Sequence, residues 1–216
     1  LLLNNDVILE TDMLFNLMKE AEVVSNSAEI LGPAVYYAEE PDEIWKLGDI
    51  HLLGLPVPIA VKRLRRYRRY VVKRLSFQVD YITGCAMLVQ RNVFEEIGFF
   101  DERYFMYFED ADFCARARES GIKIMCVPQA KLYHKVSMTA SQDIPCNLYH
   151  RLLNQVRFYY EHTKGIKVVF VHLYLTSKFL VMIAWDLLNR DLDLLKCSFK
   201  ALIAGYCEVL KRFILC

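Results

Sequence analysis

The chain has 216 residues, 55% hydrophobic and 25% charged, with 27 Lys+Arg against 26 Asp+Glu. That length can bury a real core, the charged fraction excludes a polytopic membrane protein, and the balanced charge carries no global footprint for nucleic acid. Seven cysteines without a C-x-x-C spacing fit reduced thiols in a cytosolic protein better than a disulfide framework or a structural zinc site.

Leu1–Leu3 reads as the end of a buried strand, closed by the turn residues Asn4, Asn5 and Asp6. No partner strand comes before it, so the expectation is that a portion of the fold precedes Leu1. Met13, Leu14, Leu17, Met18 and Ala21 recur at helical spacing behind a Thr11 or Asp12 cap. Ala28–Tyr37 reads as a strand interrupted by Gly32-Pro33, and Pro41–Pro58 as a loop around Trp45. Strand, helix and strand in this order predict an α/β layer.

Lys62–Arg74 is a basic block in which eight of thirteen residues are Lys or Arg. It suits an anionic membrane surface or a phosphate; the bland alternative is a solvated face. No second basic segment supports nucleic acid, which is not expected as a partner. Phe77–Gln90 reads as one long strand or a strand pair, with the small residues Gly84-Cys85-Ala86 inside it; small strand residues let another group approach the backbone. Asn92 is expected to cap a short helix ending at Gly98, and Glu109–Ser120 to form a helix ending on Gly121. Ile122–Pro128 and Ala130–His134 read as two extended pieces, Val136–Asn147 as a loop, and Leu148–His162 as a helix carrying Arg151, Asn154 and Arg157. Ile166–Trp185 is strongly apolar, but Lys178 near its middle favours an interfacial or core helix over a span. Leu194–Ile214 reads as a last amphipathic helix.

Phe99–Asp112 places five acids (Asp101, Glu102, Glu109, Asp110, Asp112) among six aromatics. Rings beside carboxylates suit a desolvated acidic site with raised pKa values. The same residues also suit an aromatic core segment leading into an acidic helix N-terminus. Three features could share one site. Asp6, at the end of a strand, could hold a divalent metal, with Asn4 or Asn5 on a sugar hydroxyl. Glu109-Asp110 could supply a general base. His134 adds a nitrogen, and such a mixed oxygen and nitrogen set suits Mn²⁺ or Mg²⁺.

The ordered series Leu2–Asp6, Gly32-Pro33, Trp45–Gly48, Thr83–Leu88, Gly98–Glu102, Phe105–Asp112, Gly121, Val127-Pro128 and His134 resembles the family-2, GT-A-type glycosyltransferases, particularly the bacterial rhamnosyltransferase-like group. The resemblance covers about residues 1 to 160. It implies an incomplete GT-A, Rossmann-like mixed sheet flanked by helices over residues 1–147, the metal- and acceptor-side part of the domain. Residues 148–216 would be a helical extension. It further implies Asp110 as the catalytic base, with Asp101, Glu102, Glu109 and Asp112 on the acceptor side. Asn4, Asp6 and Gly84 would lie along the donor, and Asp6 and His134 would hold the divalent metal. Asn4 stands where the family often has an Asp.

The implied reaction is inverting transfer of a sugar from a nucleotide-diphosphate donor to a glycan or lipid-linked acceptor in cell-surface polysaccharide synthesis. The family's nucleotide-binding strands have no counterpart here, so weak donor binding and inactivity are expected of this stretch alone. The basic block and apolar C-terminal segments imply a cytoplasmic protein peripheral to an anionic membrane. The alternative is a non-catalytic, membrane-associated interaction protein on a truncated transferase fold.

Overall fold

Two strands, β3 (Glu29–Tyr37) and β9 (Lys123–His134), run parallel through the centre of the main sheet. The computed structural model of the chain describes residues 1–23, 29–51, 58–60, 75–135 and 144–214. Lys62–Arg74 and most of Val136–Asn147 lie outside the described residues. Both central strands are rich in Ile, Leu, Val and Tyr, as strands covered on both faces are. β1 (Leu2–Leu3), β2 (Val7–Leu9), β4 (Ile44–Lys46), β7 (Phe77–Val79) and β8 (Ala86–Val89) complete the sheet by antiparallel pairing. The order is β1-β8-β3-β9-β2, with β4 also on β3 and β7 also on β9. β5 (Asp49–His51) and β6 (Pro58–Ala60) form a separate ribbon.

Alternation along β3 splits the core. Ile30 and Ala34 face one layer, packed with Val93 and Phe113 of α2 (Arg91–Ile97) and α3 (Glu109–Glu119). Leu31 and Val35 face the other, packed with Met13 and Leu17 of α1 (Met13–Val23). This is the expected α/β class, a mixed sheet between helices.

Several local expectations are corrected. Gly32-Pro33 does not break β3; the strand continues through a register shift at Pro33/Ala34, the kind of bulge at which a sheet tolerates proline. Gly32 is needed there, because a Cβ would lie 2.7 Å from Ile82 Cδ1. The Pro41–Pro58 loop contains β4 and β5. Lys123–His134 is one strand, its Pro128 opposite the same irregularity. Gly84 lies in the turn before β8, outside the strand. Asn92 sits inside α2, whose N-cap is Gln90 with no side-chain hydrogen bond. Leu1 and Leu3 are 46% and 42% exposed, so β1 is an edge strand rather than a buried one. Cys85, Cys114 and Cys126 are buried, whereas Cys146 and Cys207 are exposed.

The chain divides into two units. The first holds the described residues up to Asp101 and from Glu109 to Lys135. The second holds Glu102–Phe108 and all described residues from Ile144. Three helices build the second unit: α4 (Ile144–Glu161), starting a turn before the expected Leu148, α5 (Lys167–Leu188) and α6 (Leu192–Ile214). Gly205 lets α6 approach α4, where a Cβ would lie 3.0 Å from Val156 Cβ. Arg157 pairs with Glu208 at 2.7 Å and donates to the Arg103 carbonyl. Asn154 donates to the carbonyls of Met106 and Tyr107 at 2.8 and 3.0 Å. These bonds hold a strained turn: Tyr107 and Phe108 have φ of 66° and 72°, a region bulky residues rarely occupy.

Candidate active site

Asp110 begins the second residue of α3, and the first unit wraps donors around its carboxylate. Oδ2 accepts the Gly84 N–H at 2.7 Å and the Tyr81 hydroxyl at 2.8 Å. Oδ1 accepts the Ala111 N–H at 2.8 Å. Burial pushes the Asp110 carboxyl above the ordinary Asp value, opposed by those three bonds and by the Lys46 charge. A buried carboxylate raised by burial, with fixed donors that favour its ionised form, has the properties of a general base. Gly84 is required by this packing: a Cβ there would sit 3.2 Å from Asp110 Cβ and 3.3 Å from Oδ2.

Tyr81 is itself fixed by β4 and β5. Asp49 exchanges backbone bonds with it, donating to the Tyr81 carbonyl at 2.9 Å and accepting its N–H at 3.2 Å. Gly48, at φ 85°, makes room for that carbonyl, which would lie 2.7 Å from any Cβ. Lys46 Nζ pairs with Asp49 at 2.8 Å and stands 5.4 Å from the Tyr81 ring centroid. Burial first, then the Asp110 charge, pushes the Tyr81 hydroxyl well above the usual tyrosine range, so it stays protonated and donates.

The Asn4–Asp6 turn is tied to the same segment. The Asn4 N–H donates to the Cys85 carbonyl at 3.0 Å, directly after Gly84. Burial pushes the Cys85 thiol up to about 12, with smaller contributions from the charges of Asp110 and Asp6. Both carboxylates therefore act on one buried side chain. Pairing of β2 with the end of β9 sets Val7 opposite His134, and Asp6 Oδ1 lies 3.3 Å from His134 Nε2. Trp45 packs on the imidazole with ring centroids 4.6 Å apart. Asp6 Oδ1 and His134 Nδ1 are buried and have no hydrogen-bond partner among the described residues. An oxygen and a nitrogen donor with unused valence are the chemistry that could hold a divalent ion.

The structure thus brings together Asn4, Asp6, Gly84, Asp110 and His134. Glu109 precedes Asp110; burial and then the Asp110 charge push its carboxyl up to about 7, and its Oε2 is buried without a hydrogen-bond partner among the described residues. Asp112 turns inward, buried against Arg116 at 2.8 Å, so it stiffens α3. Arg116 goes on to donate to the carbonyls of Ile97 and Phe99. Asp101 is half-buried in the first unit, and Glu102 is exposed in the second. Tyr81, Lys46 and Asp49 were not anticipated. Their only trace in the sequence is the Trp45–Gly48 stretch, in which Lys46 sits inside what reads as a loop.

No protein-family profile matches the chain. Over 77 residues, 36% of this chain and 25% of the relative, it is 35% identical to an N-acetylglucosaminyl-diphospho-decaprenol L-rhamnosyltransferase of Mycobacterium tuberculosis. Over 46 residues, 21% of this chain and 15% of the relative, it is 46% identical to the low-salt glycan biosynthesis hexosyltransferase Agl10 of Haloferax volcanii. Over 56 residues, 26% of this chain and 21% of the relative, it is 39% identical to the rhamnosyltransferase WbbL of Escherichia coli. The matched segments span a quarter or less of each of these relatives. Over part of its length, then, the chain is similar to rhamnosyl- and hexosyltransferases.

Proposed function

We propose that the chain carries the metal- and acceptor-side machinery of a GT-A-type, inverting glycosyltransferase. The donor is a nucleotide-diphosphate sugar and the acceptor a glycan or lipid-linked glycan. The observation that carries this reading is the seating of Asp110: two donors on Oδ2, one on Oδ1, and a glycine whose missing side chain leaves room for them.

In this reading the acceptor hydroxyl attacks the anomeric carbon of the donor. The new C–O bond forms as the bond to the diphosphate oxygen breaks. The hydroxyl proton passes to Asp110, at Oδ1, which accepts only the Ala111 N–H among the described residues. Tyr81 and Gly84 keep the carboxylate in one orientation during the transfer, which preserves the aligned geometry a displacement needs. Asp6 and His134 would hold a Mn²⁺ or Mg²⁺ ion. Asp6 Oδ1 faces His134 Nε2 at 3.3 Å, and the two side chains would offer one oxygen and one nitrogen donor. When bound, such an ion neutralises charge on the departing diphosphate.

The test is transfer by the full-length protein from a panel of nucleotide-diphosphate sugars to a polyprenyl-diphosphate-linked acceptor, with Mn²⁺ or with a chelator. The reading expects a product of inverted anomeric configuration by NMR, lost on chelation. A product of retained configuration would overturn the mechanism, and undiminished transfer under chelation would overturn the metal assignment.

A further inference from the structure

Helix α5 turns its apolar surface the wrong way for a core helix. It has 22 residues and is apolar along most of its length, and little of that apolar surface is buried. Phe170, Leu173, Leu180 and Val181 are 58%, 61%, 62% and 71% exposed. With Val169 and Leu188 they recur at three- and four-residue spacing, forming a continuous stripe along one face. Ser177 falls within the stripe, and its hydroxyl is already spent on the Tyr174 carbonyl at 2.9 Å. Trp185, 67% exposed, flanks the stripe near its C-terminal end. Scattered exposed apolar residues are ordinary; a stripe running the length of a long helix is not.

The opposite face is committed to protein. Val171, Leu175 and Phe179 are buried, and so is Asp186, which accepts from Ser198 of α6. Lys178 leaves the stripe and donates to Gln155 of α4 at 2.8 Å. The neighbouring helices cannot enter hydrocarbon with α5: α4 carries Asn154, Gln155 and Arg157, and α6 carries Asp193, Lys196, Lys200, Glu208 and Lys211. At about 1.5 Å per residue α5 is ~33 Å long, enough to cross a bilayer, yet crossing would strip one face of its polar-bearing partners. Lying flat keeps that face packed and gives only the stripe to lipid. Exposed Lys164, Lys167 and Lys211 add attraction for an anionic surface, and tryptophan is a residue suited to the depth of the headgroups.

We propose that α5 is an in-plane membrane-docking helix, its Val169–Leu173 and Leu180–Val181 stripe set into the acyl–headgroup boundary of an anionic bilayer. This does not rest on the transferase reading, since it uses no residue of the Asp110 site.

The test is flotation of the full chain with phosphatidylglycerol–phosphatidylcholine vesicles, combined with quenching of tryptophan fluorescence by lipids brominated at shallow or deep positions. Trp185→Phe serves to subtract the Trp45 signal. The expected result is co-flotation, a blue-shifted Trp185 emission and stronger quenching by the shallow bromines. Leu173→Glu combined with Val181→Glu should cut flotation at least tenfold with the helical circular dichroism unchanged. Deeper quenching at the bilayer centre would overturn the in-plane arrangement. Failure of the wild-type chain to float, whether monomeric or self-associated through the stripe, would overturn lipid as its occupant.

Discussion

The two units treat polar and apolar groups in opposite ways. In the second, Asn154 and Arg157 bridge carbonyls and Glu208, Thr163 Oγ1 is buried without a hydrogen-bond partner among the described residues, and the apolar surplus is outside on α5. In the first, the apolar groups close two cores, and the polar groups are left partly unused. Asp6 Oδ1, Glu109 Oε2 and His134 Nδ1 are buried without hydrogen-bond partners among the described residues. An unpaired buried polar atom costs free energy, and in the proposed reading a bound ion offsets that cost at Asp6 and His134. Asn154 and Arg157 hold the fold, whereas Asp6, Glu109 and His134 stand at the proposed site.

Removing a group of the first kind should cost stability. Arg157→Met breaks a pair in which Arg157 is 10% exposed and Glu208 44% exposed, and it releases the Arg103 carbonyl. The expected loss is roughly 2–3 kcal/mol, below the range for fully buried pairs because Glu208 is partly solvated; the urea unfolding midpoint measures it. An unchanged midpoint would show that the pair does not support the strained turn.

Changes in the first unit should instead act on chemistry. Gly84→Ala drives a methyl against Asp110 and displaces the base by a few tenths of an ångström, for an expected fall in transfer rate of about tenfold with little change in donor KM. Tyr81→Phe removes one of the two donors on Oδ2. Because that bond favours the ionised form, its loss raises the Asp110 pKa, and the acid limb of the pH–rate profile should move to higher pH. A lower rate with an unmoved limb would leave Tyr81 a packing role only.

The smallest effect concerns Glu109. Its folded pKa, about 7, lies above the ordinary value of 4.5, so the folded state holds the proton more tightly. Its contribution to stability is complete below pH 4.5 and is lost as pH rises through 7. Glu109→Gln should flatten the fall in stability across that interval by on the order of 1 kcal/mol, the screened remainder of the shift, measured as unfolding midpoints at pH 5 and pH 8.

The sequence showed most of this architecture because periodicity is local. α1, α3, β3 and the Gly121 stop all follow from spacing and turn residues; Gly121 closes α3 as the Ile122 N–H bonds the Ala117 carbonyl. It misjudged Gly32-Pro33 and Pro41–Pro58, where long-range pairing with β9 and β3 overrides local breaking signals. Asp6, Gly84, Asp110 and His134 could be named from ordered motifs, but not their separations. Tyr81 and Lys46 were invisible because their role depends on β4 and β5 folding back onto the segment before Gly84. The outward stripe of α5 could not be told from a core helix, since hydropathy records composition and not which face is covered.

The central claim is that Asp110 takes the acceptor proton. The most direct measurement is single-turnover transfer by Asp110→Asn in the full-length protein, with donor binding measured on the same sample. The amide has similar shape and can still accept from Gly84 and Tyr81, so binding should be retained while the rate falls by about 10²–10⁴-fold. Transfer within a factor of two of wild type would contradict the account.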